Sequence, residues 1–247
     1  MRSHAWTRTL VCAGLCLASA TACGDGSGSS HASRSANASA DPTVRHSAPS
    51  PTSRSSAPAA TGLAASLLSA DAMPGFNDGY RWTAGRTVPE SPSGSFGTCQ
   101  RFSTTSIGAE RALVRRFRAA TSDPSASHDA AGELVAQFPD PQTARRAFSV
   151  LTSWRAGCAE RLRGHTRPTL GPLQPVPVDG GTGGWYLLTY GPVPGDPGAQ
   201  FFDAQGMTVV GDRIAMVALL LAGQDYDYPP GQEPAALAVQ RAAQSLS

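Results

Sequence analysis

The sequence contains no lysine, since all 20 of its basic residues are arginine. This absence excludes several classes of enzyme. A phosphate-binding P-loop needs a lysine at the phosphates, and a protein kinase needs a lysine on a strand beside the nucleotide. Penicillin-recognising enzymes need the lysine of a Ser-x-x-Lys nucleophile. The protein therefore belongs to none of these classes.

Histidine and metal-ligand motifs are scarce as well. Beyond residue 62 the histidines are His128 and His165, and the sequence has no G-x-S-x-G elbow for a Ser/His/Asp triad. His165 follows a predicted helix, where a cation favours the C-terminus. There is no H-E-x-x-H or C-x-x-C pair, and Asp225 and Asp227 lack the glycine and glutamate of a calcium loop. We predict no catalytic residue, no metal site and no cofactor.

The net charge is also small. Without Arg2 and Arg8 near the N-terminus, 18 basic residues (20 − 2) are balanced by 18 acidic ones. Domains that bind nucleic acid normally carry a basic excess on one face. The near-neutral balance predicts that nucleic acid is not a partner.

The first residues have the layout of an export signal. Arginines flank the start of a short apolar run at residues 10–20, which ends in small side chains. This run is shorter than the roughly 20 residues needed to span a bilayer. Ala20-Thr21-Ala22-Cys23 resembles a bacterial lipobox, in which the cysteine is acylated and becomes the new N-terminus. We predict a lipoprotein signal peptide over residues 1–22 and a lipid anchor at Cys23, with plain secretory cleavage near Ala22 as the alternative.

The next segment is poor in large apolar residues. From residue 24 to residue 62 Val44 is the one large aliphatic residue, and there is no aromatic residue. Such a segment cannot bury enough apolar surface to offset its ordering entropy. We predict a disordered tether over residues 23–62 and one extracytoplasmic domain over residues 63–247. The domain would lie at the outer face of the cell membrane, or be secreted if the anchor is absent.

Two cysteines remain for the folded domain. Cys12 and Cys16 belong to the signal and Cys23 to the anchor, which leaves Cys99 and Cys158. An even pair in an oxidising compartment predicts a disulfide. Two separately buried thiols are the alternative.

Hydrophobic periodicity predicts an α+β fold. Strands are expected at residues 80–88, 132–138, 185–190, 201–210 and 213–221, with a hairpin turn at Gly211-Asp212. Residues 112–121 fit either a helix or a strand, and we favour a strand. Residues 99–103 should be extended. A long helix should begin after the N-cap Asp140 and end at Gly164. A second helix should close the chain at residues 233–245 and turn Leu237 and Val239, or their neighbour Gln240, toward the sheet. A short helix or turn is expected at residues 63–73 and a flexible turn at 179–184. We predict an antiparallel sheet with one long helix and a C-terminal helix packed on it, after the disordered tether.

The aromatic residues fall into two groups. Trp82, Trp154 and Trp185 lie on predicted strands or on the apolar stripe of the long helix, which favours core packing. Tyr226 and Tyr228 lie in a polar loop. We predict that these two tyrosines are at a surface, and they are our ligand-binding candidates.

Several motifs together resemble a known family. They are the leader, the Ser/Pro tether, Leu67-Leu68-Ser69-Ala70-Asp71, the paired cysteines, Ala144-Arg-Arg-Ala-Phe148 and Ser153-Trp154-Arg-Ala-Gly-Cys158. This pattern resembles the actinobacterial sensor-domain lipoproteins, which are related to the extracellular domain of the mycobacterial serine/threonine kinase PknH. The resemblance covers residues 63–247 and implies a cleft that binds a ligand without catalysis. The kinase-linked members carry two disulfides, whereas this chain can form one.

Three functions stay open at this point. The favoured one is a non-enzymatic, membrane-tethered lipoprotein that binds or senses a small-molecule or envelope ligand. An exported hydrolase with an unrecognised site would need His128 or His165 beside an acid in a pocket. A structural or assembly lipoprotein of the cell envelope would bind a protein partner instead.

Overall fold

The computed structural model describes residues 62–120, 126, 128–163 and 168–247. The predicted signal peptide, the anchor at Cys23, the tether up to residue 61 and His165 lie outside the described residues. Among the residues that are described, no helix is both long enough and apolar enough to cross a membrane.

An eight-stranded sheet organises the described chain, and all of its strand pairs are antiparallel. Its spatial order is β1-β2-β3-β8-β7-β6-β4, with β5 also paired to β6. The strands are β1 (Trp82–Pro89), β2 (Arg111–Ala119), β3 (Ala130–Gln137), β4 (Thr169–Leu170), β5 (Gln174–Val176), β6 (Gly181–Tyr190), β7 (Gln200–Val210) and β8 (Arg213–Gly223). The helices are α1 (Pro141–Ala156), α2 (Cys158–Leu162) and α3 (Pro234–Leu246), with short 3₁₀ helices at Gly62–Ser66 and Thr104–Ile107. The predicted α+β class is confirmed.

The β7–β8 hairpin supplies the centre of the sheet. Its strands pair through to Val210 and Arg213, and the turn at Gly211-Asp212 confirms the prediction. Gly211 has a φ of +55°, a conformation that glycine adopts without strain. Strand β8 lies between β3 and β7 and alternates its buried residues between the two faces of the sheet. This burial on both faces explains why the strand is almost wholly apolar.

Two apolar cores lie on opposite faces of the sheet. On one face, called the α1 face, α1 buries Ala144, Ala147, Leu151 and Trp154. On the other, the α3 face, α3 packs over β6, β7 and β8. A Cβ at position 206 would overlap Val239 of α3, so Gly206 is what allows this close approach. Residues 62–81, called the cover segment, complete the α3 face above β2 and β3.

The predicted long helix is divided in two. Asp140 caps its start as predicted, because Oδ1 accepts hydrogen bonds from the backbone N–H groups of Gln142 and Thr143 at 2.7 and 2.9 Å. However, α1 ends at Ala156 rather than at Gly164. Gly157, with φ −89° and ψ 6°, leaves helical geometry, which costs glycine little. The chain then re-enters a helix as α2.

The predicted disulfide joins the loop before β2 to the start of α2. Cys99 and Cys158 are bonded, with their Cα atoms 5.2 Å apart. Arg161 of α2 also donates to the carbonyl oxygen of Cys99 at 2.8 Å. This loop is irregular rather than extended, and Glu90 organises it by accepting from the N–H and hydroxyl of Thr104. The disulfide therefore fixes α2 to the α1 face.

The prediction of a flexible turn at residues 179–184 is wrong in its second half. Residues 181–184 belong to β6 and pair with residues 207–210 of β7. The glycines signalled a turn in the sequence, but here they serve close packing. A Cβ at Gly183 would lie 3.0 Å from Val239 of α3.

A cleft between the cover segment and helix α3

The main candidate site is a cleft of about 560 Å³ between the cover segment and the start of α3. Its wall is formed by the second half of the cover segment, and its other side by the loop before α3 and by α3 itself. The lining residues are Ala70, Asp71, Met73, Pro74, Gly75, Phe76, Asn77, Asp78, Tyr80, Arg81, Tyr228, Gln232, Pro234, Leu237 and Arg241. A cleft that mixes aromatic, aliphatic and charged side chains suits a ligand with both apolar and polar parts.

Aromatic contacts hold the wall of the cleft in place. The Phe76 ring packs edge-on against Tyr80 and Trp82, with centroids 5.1 and 5.6 Å apart. The Trp82 indole N–H donates to the carbonyl oxygen of Pro74 at 2.8 Å. Gly75 permits the sharp reversal before Tyr80, because a Cβ there would lie 2.6 Å from that of Tyr80. Trp82 is buried, as predicted, and it supports the wall from below.

Tyr228 connects the two sides of the cleft. It is half-buried, and its hydroxyl donates to the carbonyl oxygen of Phe76 at 3.1 Å. Its ring meets that of Tyr226 edge-on, at 4.8 Å between centroids. Tyr228 thus lines the cleft and bridges its two sides.

Tyr226 occupies a different position from the one predicted. It is half-buried rather than at a surface, with its ring stacked on Phe202 at 5.9 Å and tilted against Trp185 at 6.3 Å. Its hydroxyl is enclosed and has no hydrogen bond of normal geometry among the described residues. Burial raises the pKa of this phenol well above its usual range. Tyr226 therefore supports Tyr228 from inside and does not line the cleft.

Two arginines line the cleft together with Asp71 and Asp78. Arg81 donates through Nη1 to the carbonyl oxygens of Asp78 and Tyr80, both at 2.8 Å. Arg241 donates through Nη1 to the carbonyl oxygen of Ala72 at 2.8 Å. The ion pairs within the described residues are Arg163–Glu160 and Arg213–Asp212, so neither cleft arginine is in contact with a carboxylate. Backbone carbonyls orient both guanidinium groups, and the remaining N–H donors are available to a ligand.

A tyrosine at the end of the cover segment is held by a buried acid. The Tyr80 hydroxyl donates to Oδ2 of Asp129 at 2.8 Å, and the backbone N–H of Ala222 donates to Oδ1 at 3.3 Å. Burial, followed by the contact with Asp129, raises the pKa of Tyr80. The phenol therefore stays protonated at neutral pH and acts as a hydrogen-bond donor.

The described groups that were weighed for catalysis or calcium binding do not line the cleft. His128 is exposed, and its ring contacts Phe201 edge-on at 5.9 Å. Asp225 and Asp227 are exposed in the loop before α3. In the part of the chain that the structure describes, no three His, Cys, Asp or Glu side chains are grouped as metal ligands would be.

A second groove lies on the other side of α3. It has a volume of about 490 Å³ and is lined by Trp185, several prolines, Glu233 and Gln240. Glu233, its charged residue, already accepts from the backbone N–H of Gly231 at 2.8 Å. The first cleft, with two arginines free of carboxylate contact, is the stronger candidate.

Of the residues that line the cleft, the sequence pattern indicated Tyr228 as a candidate but gave no sign of most of the others. Arg81 and Arg241 are 160 positions apart (241 − 81) and carry no motif. Leu237 was expected to face the sheet, but it is half-buried and lines the cleft. The sequence did hold one sign of this position. Leu237 lies off the apolar stripe that α3 buries, which is formed by Ala235, Ala238, Val239, Ala242 and Leu246.

The fold was compared with those of known proteins. No family model matches the sequence, and no curated protein matches it. Among solved structures, the chain is similar to the extracellular domain of PknH from Mycobacterium tuberculosis, with a TM-score of 0.48 and 14% identity. The match covers 72% of this chain and 94% of that domain.

Proposed function

We propose that the protein is a membrane-tethered extracytoplasmic lipoprotein whose domain binds a ligand without catalysis. The observation that carries the proposal is the cleft, in which an apolar wall lies beside two arginines free of carboxylate contact. The export leader and the Cys99–Cys158 disulfide support an oxidising location outside the cytoplasm.

The chemistry of the cleft favours an amphiphilic anion as the ligand. Leu237, with the edges of the largely buried Met73 and Phe76 side chains, offers apolar surface for a hydrocarbon or aromatic body. Arg81 and Arg241 offer planar guanidinium groups, which suit a carboxylate or a phosphate. Asp71 and Asp78 line the same cleft and would disfavour a second negative group near them. A ligand with one anionic head and one apolar body meets these constraints.

Binding rather than turnover is favoured by the character of the tyrosines. The phenol of Tyr80 is held by Asp129, and that of Tyr228 by the carbonyl oxygen of Phe76. Both groups are neutral donors at physiological pH, because burial raises the pKa of each. Such groups position a ligand but are poor general bases.

Titration with a fluorescent fatty acid tests the proposal. We expect dansyl-undecanoate to bind the domain saturably and with a blue-shifted emission. Arg241→Ala should weaken this binding about tenfold, the loss of one charge-assisted contact. Arg145→Ala is the matched control, since Arg145 is an exposed arginine on α1. Equal affinity in both variants, or no saturable binding, would refute the proposed site.

A phosphate-bearing amphiphile distinguishes the two possible head groups. Lysophosphatidate should compete with dansyl-undecanoate if the arginines accept phosphate, whereas decanoate should compete better if the site selects carboxylate. Phosphatidylglycerol vesicles, compared with phosphatidylcholine vesicles, test whether the anion is presented by a lipid surface.

The tether is tested separately. Mass spectrometry of the mature N-terminus should find acyl chains on Cys23, and Cys23→Ser should release the protein from membranes. An unmodified Cys23 would overturn the anchor but leave the binding function in place.

A further inference from the structure

Glu133 is an acid enclosed at the middle of the sheet. It lies on β3, faces the α3 face, and is 0% exposed. Its Oε2 accepts a hydrogen bond from the backbone N–H of Leu68, in the cover segment, at 2.6 Å. Its Oε1 is buried and has no hydrogen-bond partner among the described residues. Strand β3 therefore holds the cover segment through a carboxyl group of which one oxygen is hydrogen-bonded and the other is not.

An arginine also binds the cover segment at Leu68. Arg115 of β2 lies directly opposite Glu133 in the strand register. Its Nη1 donates to the carbonyl oxygen of Leu68 at 2.7 Å, and its Nε donates to the Thr87 hydroxyl at 3.1 Å. The backbone of Leu68 is thus bound on both sides, by the acid at its N–H and by the arginine at its carbonyl.

Among the described residues, the other elements around Glu133 bring no second charge close to it. Strand β8 places Val217 opposite, and its Arg213 lies at the far end of the strand, where it donates to the Ser66 hydroxyl. The cover segment contributes backbone at this point, and its first acid, Asp71, is exposed at the cleft. From α3, Arg241 donates to the cover segment at Ala72.

Glu133 changes between its protonated and charged forms near neutral pH. Burial raises the pKa of this carboxyl to about 7, because the cost of desolvating the charged form exceeds the lowering by the Leu68 N–H and by Arg115. Below that value the enclosed group is a neutral acid. Above it a charge is buried with one hydrogen bond, which favours any state in which water reaches it.

We propose that Glu133 is a proton-dependent latch that docks the cover segment on the sheet and so controls the wall of the cleft; this rests on the proposed binding function. Leu68 precedes the first cleft residue, Ala70, by two positions, so a movement at Leu68 displaces the wall. The protonated acid keeps the segment docked and the cleft formed. Loss of the proton loosens the segment, which lowers the affinity of the cleft as pH rises.

Hydrogen–deuterium exchange tests the latch without any ligand. Peptides from residues 62–81 are followed at pH 5.5, 7.0 and 8.5, with rates corrected for the intrinsic effect of pH. In the wild type we expect protection to fall by about tenfold or more between pH 5.5 and 8.5, as linkage requires for a group that titrates near 7. Peptides from β7 serve as the internal reference and should not change.

Glu133→Gln is the decisive variant. Glutamine keeps an oxygen for the Leu68 N–H but carries no charge at any pH, so protection of residues 62–81 should become independent of pH. Asp203→Asn is the matched control, because it neutralises a buried acid on the α1 face and should keep the wild-type pH profile. A flat profile in the wild type, or a pH dependence that survives in Glu133→Gln, would overturn the latch.

The test separates the latch from the binding function. A flat exchange profile combined with saturable dansyl-undecanoate binding refutes the latch alone. A pH-dependent profile without any binding refutes the ligand site and leaves the latch as a property of the fold. If Glu133→Gln does not fold, the wild-type profile still decides, since a flat curve contradicts the proposal and a fall confined to residues 62–81 supports it.

Discussion

The two faces of the sheet each enclose an acid, and they satisfy it differently. On the α1 face, Asp203 accepts from the Thr98 hydroxyl at 2.5 Å and from the Gln205 amide at 2.7 Å. Gln205 in turn accepts from the Tyr186 hydroxyl at 2.7 Å. On the α3 face, Glu133 accepts a single backbone N–H. Asp203 therefore belongs to a connected hydrogen-bond network, whereas the hydrogen bond of Glu133 depends on the cover segment staying docked.

The elements that pack on the two faces also differ in how firmly they are held. The α1 face carries a 16-residue helix, and a disulfide fastens its neighbour α2 to the loop beside Thr98. Above Glu133 the α3 face carries a five-residue 3₁₀ helix and the irregular chain that follows it. Short, irregular elements with few internal hydrogen bonds open at lower free energy than packed helices. We therefore expect the α1 face to be rigid and the wall of the cleft to be adaptable.

The largest expected effect on stability comes from removing the disulfide at the α1 face. Replacement of both cysteines, Cys99→Ser/Cys158→Ser, should lower the free energy of unfolding by about 4 kcal/mol, because the bond closes a loop with a sequence separation of 59. Urea unfolding followed by circular dichroism measures the loss. Cys23→Ser is the control and should leave the midpoint unchanged. A loss below about 1 kcal/mol would show that the α1 face does not depend on this bond.

The second effect concerns Glu133 and appears only at higher pH. Its pKa is about 7 in the folded protein against the usual 4.5, so the stability that it contributes is present below 4.5 and is lost as pH rises through 7. Glu133→Gln removes this loss. At pH 8.5 the variant should therefore be more stable than the wild type by up to about 3 kcal/mol, and at pH 4 it should be no more stable.

Thermal unfolding of both proteins across this pH range measures the difference. Asp203→Asn provides the comparison with the other face, where the Thr98 and Gln205 donors oppose the rise in the pKa that burial causes. A constant difference between wild type and Glu133→Gln at all pH values would contradict the pH dependence.

A smaller effect compares one tyrosine from each face. Tyr186→Phe removes the hydroxyl that Gln205 accepts within the buried network and should cost about 1–2 kcal/mol. Tyr228→Phe removes the bond to the carbonyl oxygen of Phe76 at the half-buried cleft and should cost less than about 1 kcal/mol. Equal losses in urea unfolding would show that the two faces tolerate a lost hydrogen bond alike.

The smallest effect on stability belongs to the cleft arginine. Arg241→Ala should change the free energy of unfolding by no more than about 0.5 kcal/mol, because the side chain is exposed. Its effect on dansyl-undecanoate affinity should nevertheless be about tenfold, which separates a binding role from a structural one. A large loss of stability would mean that the bond to Ala72 mainly holds the cover segment.

Local patterns predicted much of this fold. Asp140 followed by Pro141 marked the start of α1, and Gly211-Asp212 between two apolar runs marked the β7–β8 hairpin. These signals depend on residues within a few positions of each other, where backbone geometry and side-chain period are directly linked. The end of α1 was misjudged because the apolar stripe continues through Cys158, across the break at Gly157.

The cleft could be predicted only in part. Tyr228 was identified from its place in a polar loop, but Tyr226 in the same loop turned inward, since Phe202 and Trp185 offer it apolar surface. Nothing near Arg81 in the sequence indicates that Arg241 lies across the same cleft. Their proximity follows from the packing of α3 and the cover segment on one face of the sheet.

By itself the sequence determined the α+β class, the pairing of Cys99 with Cys158, and the exclusion of lysine-dependent enzymes, because composition and short-range periodicity carry that information. The tertiary structure alone decided that Glu133 is enclosed and that it binds Leu68, which is 65 positions away. On β3 an acid in that position could face water or the core. Its burial depends on whether another part of the chain covers it, and local sequence does not encode that.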